Sequence, residues 1–255
     1  MNDQRFTVLD VGISALTMES AVARVLGWVS RRERVYVNVC TTDTVLKCHD
    51  DARLAAIVNG AGMATSDGMP LVWLGRAKGL VVERVYGPDL MLRVIGRGRE
   101  FGLRHFFYGA TDQTLKSLQA RLVSQFPGLI VAGVYSPPFR PLQEDEVGRV
   151  VACINGAKPD IVWVGLGTPR QDFWVAQFRP LLEAPVLIAV GAAFDFHAGV
   201  VRQAPRWMMR IGMEWFFRLM MEPRRLWRRY LIGNLRFTGL ILSQYWQNRF
   251  REAKG

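Results

Sequence analysis

The chain has 255 residues, half of them apolar, and a formal net charge of +11 at pH 7. This length fits one large α/β domain, alone or with an appendage, and 14 Phe and 8 Trp give enough apolar surface to exclude a disordered chain. Three cysteines match neither a disulfide framework nor a zinc-ligand spacing, and the N-terminal sequence lacks the basic and apolar segments of a signal peptide. We therefore expect a protein of the cytoplasm or of the cytoplasmic face of a membrane.

Apolar runs alternate with helical patterns through the body of the chain, as in a parallel sheet that helices cover on both faces. The alternation is most regular between residues 105 and 190, where four strands are separated by three helices. The sequence therefore predicts an α/β fold with a Rossmann-like parallel sheet flanked by helices. The predicted strands are residues 35–40, 105–108, 129–135, 161–165 and 186–190, and the predicted helices are 18–32, 44–59, 89–95, 112–126, 144–155 and 170–182.

Ligands of an open parallel sheet bind beyond the carboxyl ends of its strands, so the residues after each strand are candidates for a site. Residues 165–171 are the most informative, because two glycines allow close backbone approach and Thr168-Pro169 can start a helix. Exposed amides at such a helix start favour a phosphate, although an ordinary β-α turn accounts for the same residues. No P-loop and no complete dinucleotide fingerprint follows a strand. The other candidate segments are residues 41–43, 109–112, 136–139 and 191–197.

Two further segments contain polar residues with open interpretations. Asp67 lies in the sequence SDGMP, where it either bonds its own backbone in a turn or faces a cleft as a general base. Arg84 is either a phosphate clamp or a solvated charge, and Asp89 is placed as a helix-start acid. His197, at a strand end, is the one histidine of interest, and no pair of His or Cys has metal-ligand spacing. No metal site is predicted.

The positive charge is concentrated near the C-terminus. Residues 201–255 contain eleven Arg and one Lys against three Glu, so this fifth of the chain carries +9 of the net +11. Such an asymmetry indicates an anionic partner for this part of the chain, either nucleic acid or a lipid surface.

Pro223 predicts the start of a helix within this basic stretch. At about 100° per residue, Arg225, Arg229 and Arg236 share one arc of it. We expect a basic amphipathic helix that lies in the membrane interface, since the apolar run is interrupted and too short to span a bilayer. The alternative is a helix packed on the core with solvated arginines. The arc opposite the arginines carries Trp227, Tyr230, Leu231, Phe237, Ile241 and Tyr245.

Five blocks of the sequence, in order, resemble the WecG/TagA/CpsF family of glycosyltransferases (glycosyltransferase family 26). The resemblance implies an inverting transferase that moves a sugar, often N-acetylmannosamine, from a UDP-sugar to a polyprenyl-diphosphate-linked sugar in cell-surface polysaccharide or teichoic-acid-type synthesis. It also implies that no metal and no cofactor is needed. The blocks are DGMPLVW (67–73), ERVYGPDL (83–90), GLGTPRQDFW (165–174), GAAFD (191–195) with RQAP (202–205), and GMEWFFRL (212–219) with EPRR (222–225).

The resemblance also implies roles for single residues. The catalytic base falls on Asp67, the glutamine near the donor on Gln171, and the nucleotide-contacting aspartate on Asp195. The family's Thr-Pro-Asn motif after the first strand is replaced here, so Thr41 is the first candidate for the donor-side polar role and Asp43 the second. The further candidates are Arg84, Asp89, Gly109, Gly167 and Thr168 for the donor, and Arg218, Arg224, Arg225, Arg228 and Arg229 for the acceptor and the membrane.

The sequence thus predicts a catalytic α/β domain over residues 1–203 and a basic helical, membrane-associating appendage over residues 204–255. Its expected partners are a UDP-sugar donor, a lipid-diphosphate-linked saccharide acceptor and an anionic membrane surface, with a homo-oligomer left open and no nucleic acid. The expected location is peripheral, on the inner face of the cell membrane. Two alternatives remain: a relative that binds UDP-sugars without turnover, and a nucleic-acid-binding protein that uses the Arg, Trp and Tyr of its tail.

Overall fold

The computed structural model describes residues 4–252, and the side chains of residues 4–247. Six parallel strands form the central sheet, and two further strands form a separate antiparallel hairpin. The hairpin strands are β1 (Arg5–Val8) and β2 (Val11–Ser14), and the sheet strands are β3 (Val35–Cys40), β4 (Met63–Ser66), β5 (Arg104–Gly109), β6 (Ile130–Tyr135), β7 (Ile161–Gly165) and β8 (Val186–Ala189).

The strands of the sheet follow one another in the order β4-β3-β8-β7-β5-β6. The helices of the body, which we define as residues 4–203, are α1 (Met18–Ser30), α2 (Thr42–Asp50), α3 (Ala52–Asn59), α4 (Met69–Ala77), α5 (Gly87–Gly98), α6 (Asp112–Gln125), α7 (Glu144–Gly156), α8 (Arg170–Phe178) and α9 (Ala193–Ala198). The helices of the C-terminal region, residues 204–252, are α10 (Arg206–Arg210), α11 (Glu214–Met221), α12 (Pro223–Trp227) and α13 (Gly233–Glu252), with a π-helical turn at Arg228–Ile232.

The predicted α/β fold is confirmed, and all five predicted strands are present. The hairpin and β4 were not predicted. Strand β4 has only four residues, two of them polar, yet all four are buried. Its Thr65 and Ser66 hydroxyls donate to the carbonyl oxygens of Val85 and Glu83, so the polar residues of this strand are satisfied by a segment that follows α4.

Two expectations about helices were wrong in detail. The predicted helix 44–59 is two helices, because the Asp51 carboxylate accepts from the backbone of Arg53 and Leu54 and starts α3 anew. Thr168 does not cap α8, since Pro169 occupies the capping position and makes no side-chain cap bond. Thr17 caps α1 through its hydroxyl, and α12 begins at Pro223, as the sequence predicted.

The core fills both faces of the sheet, as the two-residue period of a strand requires. Phe107 and Trp163 pack on one face with helices α1, α5, α6 and α9. Tyr108 and Val164 pack on the opposite face with α7 and α8. Full burial of each such side chain stabilises the fold by roughly 2–3 kcal/mol, so the strands are held firmly and their carboxyl ends are fixed relative to one another.

The C-terminal region docks on the body through a few contacts. Phe237 of α13 joins the apolar cluster that α2, α3 and the hairpin form, and the side chains of Arg229 and Arg236 pair with Asp43 and Asp50 of α2. Of the basic residues counted in the sequence, Lys254 lies outside the described residues, as do the side chains of Arg249 and Arg251. Within residues 4–252, no helix is long and apolar enough to cross a membrane.

The side chains that the C-terminal helix exposes differ from those expected from the sequence. The π-helical turn at Arg228–Ile232 holds one more residue than an α-helical turn. A constant angle of about 100° per residue therefore misplaces the residues that follow it. Phe237 and Ile241, expected on the membrane side, pack on the body instead. An exposed stripe on the other side of α13 contains Leu235, Leu242 and Trp246, whose spacing places them within about 40° of one another.

Candidate active site

A cleft of about 1770 Å³ lies at the carboxyl ends of the parallel strands, where an open α/β sheet binds its ligands. The body lines one side of it with residues that follow β3, β4, β5, β7 and β8, and the C-terminal region lines the other side. Of the residues singled out in the sequence, the cleft brings together Thr41, Asp43, Asp67, Arg84, Gly167, Thr168, Gln171, Asp195, Arg218, Arg225 and Arg229.

Asp67 is the first residue after β4 and lies in the wall of the cleft with 9% of its surface exposed. Its backbone N–H donates to the carbonyl oxygen of Cys40 at 2.9 Å, which ties the ends of β3 and β4 together. Helix α4 begins two residues later, with Pro70 in its first turn. The carboxylate is therefore held by a strand end on one side and a helix start on the other.

Arg84 lies between two carboxylates. Its Nη2 donates to Asp67 Oδ1 at 3.1 Å and to Glu214 Oε2 at 2.5 Å, and its Nε donates to the Asp67 carbonyl oxygen. The Tyr86 hydroxyl donates to Glu214 Oε1 at 3.2 Å, and the Arg84 guanidinium stacks 4.3 Å from the Tyr86 ring centre. Arg84 is thus neither a solvated charge nor a free phosphate clamp; it joins the loop after β4 to helix α11.

The pKa of Asp67 is raised to about 6, chiefly because burial penalises the charged carboxylate. The neighbouring negative charge of Glu214 acts in the same direction, whereas the positive charges of Arg84 and Arg218 lower the pKa. A carboxylate whose pKa lies this close to neutral pH is ionised at pH 7 and can still take up a proton, as a general base must.

Gln171 joins the loops that follow β7 and β8. Its side-chain oxygen accepts from the backbone N–H of Gly167 at 3.1 Å and of Gly191 at 2.8 Å, and the residue is almost fully buried. The next residue, Asp172, accepts from Asn38 of β3 at 2.6 Å, and burial raises the pKa of its carboxyl to about 6. The start of α8 is therefore fixed to the two neighbouring strand ends.

Thr41 and Asp43 belong to the first turn of α2 and its cap. The Thr41 hydroxyl accepts from the backbone of Thr44, so it caps the helix. Asp43 pairs with Lys47 at 2.9 Å and with Arg229 at 3.3 Å, and Lys47 also donates to the Thr168 carbonyl oxygen at 3.1 Å. This group links the loops after β3 and β7 to the C-terminal region.

Gly109 is required by packing rather than by the cleft, which it does not line. Its φ is +126°, and a Cβ there would lie 2.5 Å from the carbonyl oxygen of Gly165 on the neighbouring strand. Asp89 also lies outside the cleft, paired with Arg206 at 2.7 Å. The Nε2 atom of His197 lies 3.0 Å from the carbonyl oxygen of Pro88, and burial lowers the pKa of this histidine.

The C-terminal region contributes a cationic wall to the cleft. Arg218, Arg225 and Arg229 line it, whereas Arg224 and Arg228 do not. Burial raises the pKa of the Asp195 carboxyl, and the positive charges of Arg225 and Arg218 oppose that shift. The cleft thus combines one buried carboxylate on the body side with three guanidinium groups on the C-terminal side.

Glu214 and Tyr86 are functional candidates that the sequence analysis did not single out. Both lie within blocks that carry the family resemblance, and Glu214 is one of only three acids in a strongly basic stretch. The isolation of Glu214 among basic residues was the feature that could have marked it as a candidate. Within the described part of the chain, no group of three or more His, Cys, Asp or Glu residues is arranged to hold a metal ion.

Comparisons with known proteins agree on one family. The model of the Glycosyl transferase WecG/TagA/CpsF family matches residues 6–251. The chain is 28% identical over 205 residues to an N-acetylglucosaminyldiphosphoundecaprenol N-acetyl-beta-D-mannosaminyltransferase of Bacillus spizizenii, which covers 80% of this chain and 77% of the relative. It is 31% identical over 179 residues to the enzyme of the same name in Bacillus subtilis, with 69% of this chain and 66% of the relative covered.

Proposed function

Because the chain belongs to the WecG/TagA/CpsF family of glycosyl transferases, we propose that it transfers N-acetylmannosamine, or a related N-acetylhexosamine, from a UDP-sugar to a lipid-diphosphate-linked N-acetylglucosamine. Both similar Bacillus enzymes are named for the transfer of N-acetylmannosamine to such an acceptor. The observation that carries the proposal is the pairing in one cleft of a buried carboxylate with a cationic wall. Neither of the alternatives from the sequence is favoured, whether a relative that binds UDP-sugars without turnover or a nucleic-acid-binding protein.

Asp67 is the proposed general base. An inverting transfer needs one carboxylate to take the proton of the acceptor hydroxyl while the new bond to the anomeric carbon forms. Asp67 suits this task because it is buried at a strand end, with a pKa raised to about 6. Arg84 and Glu214 act as positioning residues, since their hydrogen bonds hold the Asp67 loop against helix α11.

The leaving UDP carries negative charge that the cleft must stabilise as the sugar departs. Arg218 and Arg225 supply fixed positive charge, and the backbone around Gly167, fixed by Gln171, supplies N–H groups near the start of α8. We propose that these groups do this without a metal ion. Thr41, Asp43, Thr168 and Asp195 line the same cleft and remain proposed donor-side residues.

The C-terminal region is the proposed membrane contact, on the inner face of the cell membrane. Its exposed stripe of Leu235, Leu242 and Trp246 runs along α13 on the side away from the body, among basic residues. Such an element inserts its apolar side chains at the headgroup level while its arginines attract anionic lipids. Contact there would bring the cleft close to an acceptor that is anchored in the bilayer.

The direct test is a transfer assay with a short-chain lipid-diphosphate N-acetylglucosamine and a panel of UDP-sugars, with and without a chelator of divalent cations. We expect one UDP-N-acetylhexosamine, with the manno isomer first, to give a disaccharide product at the same rate in both conditions. Absence of product with every donor would contradict the proposed transfer. Loss of product only with chelator would contradict the metal-free part alone.

A further inference from the structure

A second cavity, of about 650 Å³, opens between helices α4, α5 and α10. It shares Met69, Arg84 and Tyr86 with the cleft as a common wall, and the rest of its lining is different. Val72 and Met209, which are both buried, form apolar walls. The remaining feature is a group of four further guanidinium side chains, those of Arg76, Arg93, Arg206 and Arg210.

The charge in this cavity is unbalanced. Asp89 is the one acid in its lining, and it is already paired with Arg206 at 2.7 Å. Arg76 donates to the Val82 carbonyl oxygen at 2.9 Å. Among the described residues, neither Arg93 nor Arg210 has an ion-pair or hydrogen-bond partner. Two exposed arginines without an ion-pair partner therefore line one cavity from two different helices.

Like charges that converge on a cavity repel each other unless an anion lies between them. The guanidinium group offers paired N–H donors that match the oxygens of a phosphate. The volume also falls in the range of small-ligand sites, about 300–1000 Å³. The chemistry of the cavity thus selects a compact anion with several oxygens.

We propose that this cavity binds a phosphate group, held between Arg93 and Arg210 with Arg206 beside them. The site adjoins the cleft across their common wall, and the proposal does not rest on the proposed transfer reaction. The phosphate can belong to a free anion or to the headgroup of an anionic lipid. Trp207 and Ile211, 63% and 56% exposed, lie on or next to α10 and would accompany a headgroup into the interface.

The experiment compares two double variants of the full chain. Arg93→Gln/Arg210→Gln removes the unpaired guanidinium groups of the cavity, and Arg53→Gln/Arg149→Gln removes the same charge from exposed positions on α3 and α7. Calorimetric titration with inorganic phosphate measures the free anion. Flotation with phosphatidylcholine vesicles that contain phosphatidylglycerol measures the headgroup, with pure phosphatidylcholine vesicles as the reference.

A third variant, Arg218→Gln/Arg225→Gln, separates this site from the cleft, because phosphate can also bind there. It should keep the binding that the cavity variant loses. We expect the cavity variant to bind its ligand about tenfold more weakly than the wild type or the surface variant, since two charge-assisted contacts are lost. Loss in the phosphate titration identifies a free anion, and loss in flotation alone identifies a lipid headgroup.

The proposal is overturned if the surface variant loses as much as the cavity variant, which would indicate net charge alone. It is equally overturned if the cavity variant matches the wild type in both assays. Thermal unfolding checks that the double variant is folded, which its exposed and unpaired positions lead us to expect. Should it not fold, the single variants Arg93→Gln and Arg210→Gln must each weaken the same binding about threefold or more.

Discussion

The body and the C-terminal region differ in how they use apolar side chains. The body packs its apolar side chains into layers on both faces of the sheet, where residues such as Phe107 and Trp163 are fully buried. Twelve of the twenty-one large apolar side chains that are exposed among the described residues lie in the C-terminal region, which is less than a fifth of the chain. Among the side chains described there, up to residue 247, four are buried, namely Ala204, Met209, Leu226 and Phe237.

The two regions also differ in charge, and the difference shows a division of tasks. The body is nearly neutral and holds the buried carboxylate of Asp67 in the cleft, whereas the C-terminal region adds Arg218, Arg225 and Arg229 to its lining. Glu214 joins the two regions at the cleft, through Arg84 to Asp67. The body thus positions the proposed base, and the basic C-terminal region lines the other side of the cleft and presents an apolar surface.

Replacing the proposed base in the body, Asp67, should have the largest effect on activity. Asp67→Asn removes the proton acceptor and keeps the shape of the side chain, so we expect turnover to fall by about 10²- to 10⁴-fold. The measurement is the initial rate of transfer with both substrates saturating. Asp145→Asn, at an exposed position on α7, is the matched control and should keep wild-type turnover. Wild-type turnover in a folded Asp67→Asn protein would contradict the assignment.

Truncating one buried phenylalanine in each region should separate their stabilities. Phe107→Ala leaves a cavity in the core of the sheet, and we expect it to lower the free energy of unfolding of the body by about 3–5 kcal/mol. Phe237→Ala should instead increase hydrogen exchange in α13 and leave the unfolding midpoint of the body close to that of the wild type. A similar loss of global stability in both variants would show that the two regions unfold as one unit.

Removing guanidinium groups from the cleft should affect the chemical step. Arg218→Gln/Arg225→Gln takes away charge that would stabilise the leaving diphosphate, so we expect kcat to fall about ten- to a hundredfold. Arg224→Gln/Arg228→Gln removes the same charge from positions that do not line the cleft. With a short-chain acceptor free in solution, this second variant should lose far less. Equal losses would indicate that position in the cleft is irrelevant.

Changing the exposed stripe should affect membrane contact without affecting the chemistry. Leu235→Ser/Leu242→Ser makes the stripe polar, and we expect flotation with anionic vesicles to fall about three- to tenfold. Val81→Ser/Phe101→Ser changes two exposed apolar residues of the body and should leave flotation unchanged. Unchanged flotation in the stripe variant would move the membrane contact elsewhere on the protein.

The strands that carry their own signal in the sequence were predictable, and those that depend on a partner were not. Continuous apolar runs such as Val186–Ala189 need no context, because both faces of a central strand are buried. Strand β4 contains Thr65 and Ser66, whose burial is made acceptable by hydrogen bonds to residues about twenty positions further on. The residues next to Thr65 and Ser66 in the sequence do not indicate these distant hydrogen-bond partners.

The same distinction holds for the site. That Gly167 and Asp195 would lie near one another follows from their positions after predicted strands, because the strand ends meet along one edge of the sheet. Asp67 follows β4, a strand that was not predicted, so only the family resemblance pointed to its role. The link from Arg84 to Glu214 spans 130 residues and depends on how the C-terminal region docks. The faces of the C-terminal helix were mispredicted for a different reason, since its π-helical turn breaks the regular projection.

The pH dependence of kcat, for the wild type and Glu214→Gln, tests most directly whether Asp67 is a base tuned by the C-terminal region. The base works ionised, so wild-type kcat should rise with pH around a midpoint near 6. Glu214 raises the pKa of Asp67 and Arg84 and Arg218 lower it, so loss of the Glu214 charge should move the midpoint to lower pH. A wild-type profile without an acid limb, or a midpoint that stays in place or rises in the variant, would contradict the account.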